Sequence, residues 1–140
     1  TTPWLTERHG YDPTFEEKLG VIAPRLGYQP KDMKLSEYWI NENMGEAVVK
    51  YEYGNNELKI YISKDYFDAS INFEMDGIEI GSILVETSEL QVPIYEFNDF
   101  GNEKYYQAEF EQFNTYYSVL GMMELEDYIK ILENIAINNV

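Results

Sequence analysis

The sequence predicts an α+β fold, a curved antiparallel meander sheet of about six to seven strands with an N-terminal and a C-terminal amphipathic helix packed on it. Two patterns indicate this fold class. Apolar residues recur at helical spacing near both chain ends, and they alternate with polar residues between about residues 35 and 120. The stretches between the strands are too short for the helical crossovers that parallel strands need, so the sheet is expected to be antiparallel.

The first helix is predicted in the N-terminal part of a single domain that spans residues 12–140, after an irregular segment at residues 1–11. Asp12 or Thr14 can cap the free backbone N–H groups of the first turn, and Pro13 suits that turn. Gly27 is a natural stop. The apolar residues of this predicted helix share one face: Phe15, Leu19, Ile22, Ala23 and Leu26.

The strands are predicted where the apolar period changes from about four to two. Gly54, Asn55 and Asn56 form a turn signal between two of them and predict a hairpin. Residues 64–76 have no clear period and are predicted to be a loop, and Gly121 is predicted to end the sheet. The predicted strands are Leu35–Ile40, Ala47–Tyr53, Leu58–Ile62, Ile78–Thr87, Val92–Phe97, Lys104–Phe113 and Thr115–Leu120.

A second amphipathic helix is predicted to close the chain and to begin near Glu124. Glu126 and Asp127 follow in its first turn, where negative charge interacts favourably with the helix dipole. Because the aromatic residues before Gly121 alternate along strands, we expect most of them to belong to the core. The apolar stripe of the helix consists of Leu125, Tyr128, Ile129, Leu132, Ile135 and Ala136.

The charge of the chain excludes some classes of function. With 26 acidic and 10 basic residues the formal net charge is -16, which repels nucleic acid and anionic membrane surfaces. The chain has no cysteine and a single histidine, His9, so it offers no disulfide framework, no thiolate nucleophile and a poor basis for a zinc site. No cofactor and no metal are expected.

No catalytic motif is recognised. Asp99, Phe100 and Gly101 match the magnesium-binding tripeptide of protein kinases, but the other kinase motifs are absent from the sequence. We therefore predict that the chain is not an enzyme, with an acid-dependent hydrolase as a remote alternative that needs two converging carboxylates. The acidic residues that could gather around a cation, if their loop folds back, are Asp65, Asp68, Glu74 and Asp76.

The order of these elements resembles an uncharacterised domain family of Gram-positive bacteria. The resemblance covers about residues 15–137 and is carried by LGYQPKDMKL, AVVKYEYGNNELKIYIS, VPIYEF and YYSVLGMMELEDYIKILENI. Domains of that family commonly lie outside the membrane behind a transmembrane helix, in anti-sigma-factor-like or lipoprotein-like proteins. The resemblance implies an extracytoplasmic binding or sensing domain, and it supplies no catalytic residues.

Two functions are therefore expected, both of them non-enzymatic. The first is an extracytoplasmic domain, membrane-tethered upstream of Thr1, whose sheet binds a protein or cell-envelope partner. The second is a carrier or sensor that encloses a small apolar or lipid ligand between sheet and helix. The aromatic residues expected to line such a ligand are Trp39, Tyr106 and Phe110.

Overall fold

A computed structural model of the chain describes residues 24–41, 45–64, 77–85, 89–98, 103–112 and 114–136. Within these ranges the chain forms nine strands and one helix. The helix, α1, spans Leu125–Glu133. The strands are β1 (Arg25–Leu26), β2 (Lys34–Asn41), β3 (Glu46–Tyr53), β4 (Asn56–Ser63), β5 (Ile78–Val85), β6 (Leu90–Asn98), β7 (Lys104–Gln112), β8 (Thr115–Met122) and β9 (Ile135–Ala136).

Seven of the strands form one antiparallel sheet in the order β2-β3-β4-β8-β7-β6-β5. The prediction of an antiparallel sheet of six to seven strands is confirmed. The expected meander is divided into two parts, because β4 pairs with β8 and not with β5. As a result, β2 and β5 lie at the two edges of the sheet.

The inner face of the sheet, defined here as the face that α1 covers, carries most of the core. Tyr38, Val49, Ile60, Val119 and Ala108 are successive cross-strand partners on β2, β3, β4, β8 and β7, and each is at most 1% exposed. Burying a large apolar side chain of this kind contributes roughly 1.5–3 kcal/mol. The two-residue alternation of these strands is therefore the pattern that fixes which face meets the helix.

The helix α1 begins where the sequence predicts. Glu124 is its N-cap residue, Glu126 and Asp127 lie in its first turn, and Tyr128 and Leu132 are buried. Nine residues long, it is too short to cross a bilayer, and no other described segment of the chain forms a helix long and apolar enough to do so.

The prediction that the second helix extends to Ile135 and Ala136 is wrong. Ile135 and Ala136 do not continue the helix but form β9, which pairs with Leu26 and Arg25 of β1. Gly27 makes this pairing tight, because its N–H donates to the carbonyl of Asn134 at 2.9 Å. A Cβ atom on Gly27 would lie 2.7 Å from that carbonyl oxygen, so a larger residue does not fit there.

The predicted first helix is not supported. Arg25 and Leu26 adopt the extended backbone of β1, because they provide the partner strand for β9. The remainder of that predicted helix, residues 12–23, and the irregular segment 1–11 lie outside the described residues. In the described part of the chain, α1 is the only helix.

Gly121 does not end the sheet, as the sequence suggested, but lies inside β8. It pairs with Leu58 of β4 and Tyr106 of β7. The ring of Tyr128 occupies the space above it: a Cβ atom on Gly121 would lie 2.5 Å from Cδ1 of that ring. The Tyr128 hydroxyl donates a 2.8 Å hydrogen bond to the Val119 carbonyl, so α1 is anchored on β8 by both packing and polar contact.

We expect Gly121→Ala to destabilise the protein by about 1–3 kcal/mol, because the added methyl group forces the buried Tyr128 ring to move. Strand propensity alone predicts the opposite sign, since Ala is normally favoured over Gly within a strand. Urea denaturation followed by circular dichroism measures the change. In a Tyr128→Leu background, the same Gly121→Ala substitution is expected to be neutral or stabilising; an equal cost in both backgrounds would contradict this packing.

Candidate functional site

The aromatic residues expected to line a ligand do not lie on one face. Tyr106 is 6% exposed on the inner face, and its ring centroid lies 5.6 Å from that of Tyr128 on α1. Phe110, partly buried on the same face, stacks on Tyr117 at 5.3 Å. Trp39 follows the buried Tyr38 along β2, so its side chain projects from the opposite, outer face, where it is 48% exposed.

The four acidic residues considered as cation ligands, Asp65, Asp68, Glu74 and Asp76, lie outside the described residues. Among the residues that the structure does describe, no three histidine, cysteine or acidic side chains are grouped so that they could hold a metal ion.

A lysine-centred network occupies the outer face of β2, β3 and β4. The Lys50 ammonium lies 3.1 Å from Glu52, 3.7 Å from Glu57 and 3.8 Å from Glu37. The hydrogen bond that the Lys50 ammonium donates to Glu52 is the main cause that raises the pKa of Lys50. Lys59 adds a second cation 3.6 Å from Glu57. Glu37, Glu52 and Glu57 are therefore paired with lysines of the same sheet.

A second polar contact connects the β3–β4 hairpin to α1. The Tyr53 hydroxyl donates to Oδ2 of Asp127 at 3.0 Å. Burial, followed by this hydrogen bond to a carboxylate, raises the pKa of Tyr53 well above its ordinary value of about 10. One turn further along the helix, the Lys130 ammonium lies 5.7 Å from the ring centroid of Tyr28, within the range of a cation–π contact.

Exposed apolar side chains concentrate at the β5 end of the sheet. Five large hydrophobic residues among those described are exposed, and one of them is Trp39 on β2. The other four lie on the adjacent strands β5 and β6, and we call them the β5 patch. They are Ile78 (64% exposed), Ile80 (40%), Leu84 (46%) and Tyr95 (37%). Leu84 and Tyr95 project from the outer face, Ile78 lies on the inner side opposite Glu96, and Ile80 lies in the bulge of β5.

The C-terminal half of β5 is anchored in the core, although Leu84 on its outer face is exposed. Ile83 and Val85 are 8% and 0% exposed, belong to the core and pair with Val92 and Leu90 of β6. On the outer face the Gln91 amide donates to the Ser82 hydroxyl at 2.9 Å. On its other side β5 has no strand partner among the described residues. In the described sheet β5 is thus an edge strand with exposed apolar side chains, and the helix α1 also lies close to it.

The sequence around the β5 patch is strongly acidic. Between Lys64 and Lys104 there is no lysine, arginine or histidine. In the described residues, the ion pairs involve Lys50, Lys59 and Lys104, and none includes Glu79 or Glu89. The same stretch of sequence contains ten acidic residues: Asp65, Asp68, Glu74, Asp76, Glu79, Glu86, Glu89, Glu96, Asp99 and Glu103.

Sequence reasoning identified β5 as a strand but missed its exposed patch. The signal was present in the segment IEIGSILV, where apolar residues occupy both alternating positions: Ile83 and Val85 on one face, Leu84 on the other. A strand buried on one face only has no need of apolar residues on both faces. Its place at the edge could not be inferred, because that depends on the pairing of β4 with β8.

Comparison with known families places most of the chain in a family of unknown function. A family model described as Domain of unknown function (DUF4367) matches residues 23–135 of the 140-residue chain. The matched region begins just before β1 and ends in β9, so it contains the whole seven-stranded sheet and α1. No curated protein and no solved structure matches the chain.

We expect the free energy of unfolding to fall as the pH rises through about 10, because buried tyrosines keep their protons when the chain is folded and release them when it is unfolded. The pKa values of Tyr53 and Tyr128 are both raised by burial, so the unfolded state binds fewer protons in this range. Tyr53→Phe should make the decline shallower in urea titrations between pH 8 and roughly pH 11. Tyr95→Phe, at an exposed position, is the control. If both variants change the pH dependence of the unfolding free energy equally, the effect does not come from the partly buried Tyr53 hydroxyl.

Proposed function

The chain belongs to the DUF4367 family, and we propose that it is a non-enzymatic, extracytoplasmic binding domain that holds a partner protein on the β5 patch. The observation that carries this proposal is the concentration of exposed apolar side chains on β5 and β6. Single exposed apolar residues are ordinary on protein surfaces, but a group of them on an ordered element is typical of an interaction surface.

The form of the patch favours a protein partner. Leu84 and Tyr95 are attached to strand segments whose opposite faces carry the buried residues Ile83, Val85 and Ile94, so binding at these positions does not require the site to be ordered first. Leu84 and Tyr95 offer apolar and aromatic contact area, and Tyr95 is of a residue type that is enriched at the centres of interfaces. By contrast, the inner-face aromatics Tyr106 and Phe110 are already engaged with Tyr128 and Tyr117.

The extracytoplasmic placement in a Gram-positive bacterium rests on the resemblance described above. The closing pattern of an aromatic strand, Gly121 and an amphipathic helix is the part of the chain that most resembles those membrane-tethered domains. In such a place, the partner would be a protein of the cell envelope or the extracytoplasmic part of a membrane protein.

The binding surface is tested by photo-crosslinking in the native cell with the full-length protein. A benzophenone side chain introduced at Leu84 or at Tyr95 is expected to give a discrete adduct of higher mass, because both positions are exposed within the β5 patch. Glu126, exposed on α1, is the matched control position and is expected to give none.

Adding Ile80→Asp to the Leu84 cross-linking variant should reduce the adduct at least fivefold, since it places a charge inside an apolar contact of roughly 2 kcal/mol or more. Equal adducts from all three positions, or none from the patch, would overturn the proposed surface.

Location is tested with a single introduced thiol, because the chain has no cysteine of its own. Glu126→Cys in the full-length protein should react with a membrane-impermeant maleimide in intact cells, since position 126 is exposed. The unsubstituted protein gives the background signal. Labelling that appears only after the cells are broken open would place the domain inside the cell and refute the proposal.

A further inference from the structure

We propose that the β5 patch binds its partner by strand addition: an extended, basic segment of the partner pairs with the free edge of β5. This inference rests on the proposed function and specifies the chemistry of the partner. Pairing at a sheet edge uses backbone hydrogen bonds for affinity and alternating side chains for specificity. The structure shows both components at β5.

The backbone direction at the edge follows from the β5–β6 turn. The Glu89 N–H donates to the Val85 carbonyl at 2.7 Å, so this carbonyl points towards β6. Backbone groups alternate in direction along a strand, and the carbonyl and N–H groups of Ser82 and Leu84 therefore point away from β6. Pro93, which has no N–H to donate, lies opposite Ser82, as expected if that pair exchanges no hydrogen bonds.

A bulge limits the length of the free edge. The register of β5 against β6 shifts between Glu79 and Gly81, where one extra residue interrupts regular pairing. Gly81 has a φ of 153°, a value that side chains rarely allow. From Ser82 to Val85 the register is regular, so a partner segment meets the outward groups of Ser82 and Leu84 before the bulge turns the strand.

Charge decides between two occupants of this edge. A second copy of the chain would bring Glu79 and Glu89 of each copy to the same paired edge, and each chain has a formal net charge of -16, so the two copies repel each other. A segment with lysine or arginine at alternate positions places its cations on the outer face, the face of Glu79 and Leu84, and its apolar residues on the inner face beside Ile83 and Val85. The edge therefore fits a basic partner better than a second copy.

The test uses a synthetic peptide of about ten residues in which lysine and valine alternate. We expect it to bind the unsubstituted protein in isothermal titration calorimetry, with an affinity that falls as salt is added. The same peptide with glutamate in place of lysine should bind at least tenfold more weakly. Methylation of alternate backbone nitrogens of the lysine peptide should also weaken binding about tenfold, because each blocked N–H removes one edge hydrogen bond.

A matched pair of variants tests the same bonds from the protein side. Leu84→Ala and Leu84→Pro both remove the leucine side chain, but only Pro removes the outward N–H. A proline is tolerated on an edge strand when its nitrogen faces outward, so thermal unfolding should be similar for the two variants. We expect the lysine peptide to bind Leu84→Pro about tenfold more weakly than Leu84→Ala.

The outcomes separate this inference from the proposed function. Equal binding to Leu84→Pro and Leu84→Ala, together with full binding of the N-methylated peptide, would exclude strand addition even if Leu84 still cross-links to a partner in cells. Equal binding of the lysine and glutamate peptides would exclude a basic partner. If Leu84→Pro unfolds, the comparison of the methylated and unmethylated lysine peptides on the unsubstituted protein tests strand addition instead. If the lysine peptide does not bind the unsubstituted protein at all, the inference is overturned.

Discussion

The pairing of β4 with β8 is the contact on which the rest of the structure depends. It joins residues 53 to 65 positions apart, from Ser63 with Tyr116 to Glu57 with Met122. Closing so long a loop carries an entropic cost that the local β3–β4 hairpin avoids. The pairing unites two antiparallel units into one sheet, aligns Ile60 with Val119 in the core, and leaves β5 at the far edge.

Tyrosine allows this sheet to be buried without isolating polar groups. The Tyr128 ring fills the space above Gly121 while its hydroxyl reaches the Val119 carbonyl, and Tyr53 likewise reaches Asp127. No buried side-chain nitrogen or oxygen in the described ranges lacks a hydrogen-bond partner. Because a hydroxyl placed in a core without a partner costs free energy, tyrosine suits positions where a strand or helix offers a carbonyl or carboxylate nearby.

Local pattern was enough to predict most of the fold. The alternation over Lys104–Phe113 corresponds to β7, which ends at Gln112, and the predicted helix start at Glu124 is its N-cap residue. These features depend on neighbours in sequence. The role of Gly121, the pairing of Ile135 with Leu26 and the edge position of β5 depend instead on residues far away in the chain, so no local period could reveal them.

The candidate site was harder to predict because exposure, not residue type, defines it. Trp39, Tyr106 and Phe110 are aromatic residues of the type that lines ligand sites. Tyr106 and Phe110, however, lie on the inner face of the sheet, and Trp39 lies on the outer face. Ile78, Ile80 and Leu84 look in sequence like ordinary core residues of a strand. Their exposure is seen only in the folded chain, where β5 lies at the edge of the sheet.

An exposed apolar edge normally favours association between copies, and the charge distribution of this chain opposes it. Each chain has a formal net charge of -16, and Glu79 and Glu89 flank the regular part of β5 without an ion-pair partner among the described residues, so two copies repel where their β5 edges would meet. The bulge at Gly81 further shortens the edge that two copies could share. The same charges would attract the cationic segment that we propose as the partner, so they oppose pairing between two copies and favour pairing with a segment of opposite charge.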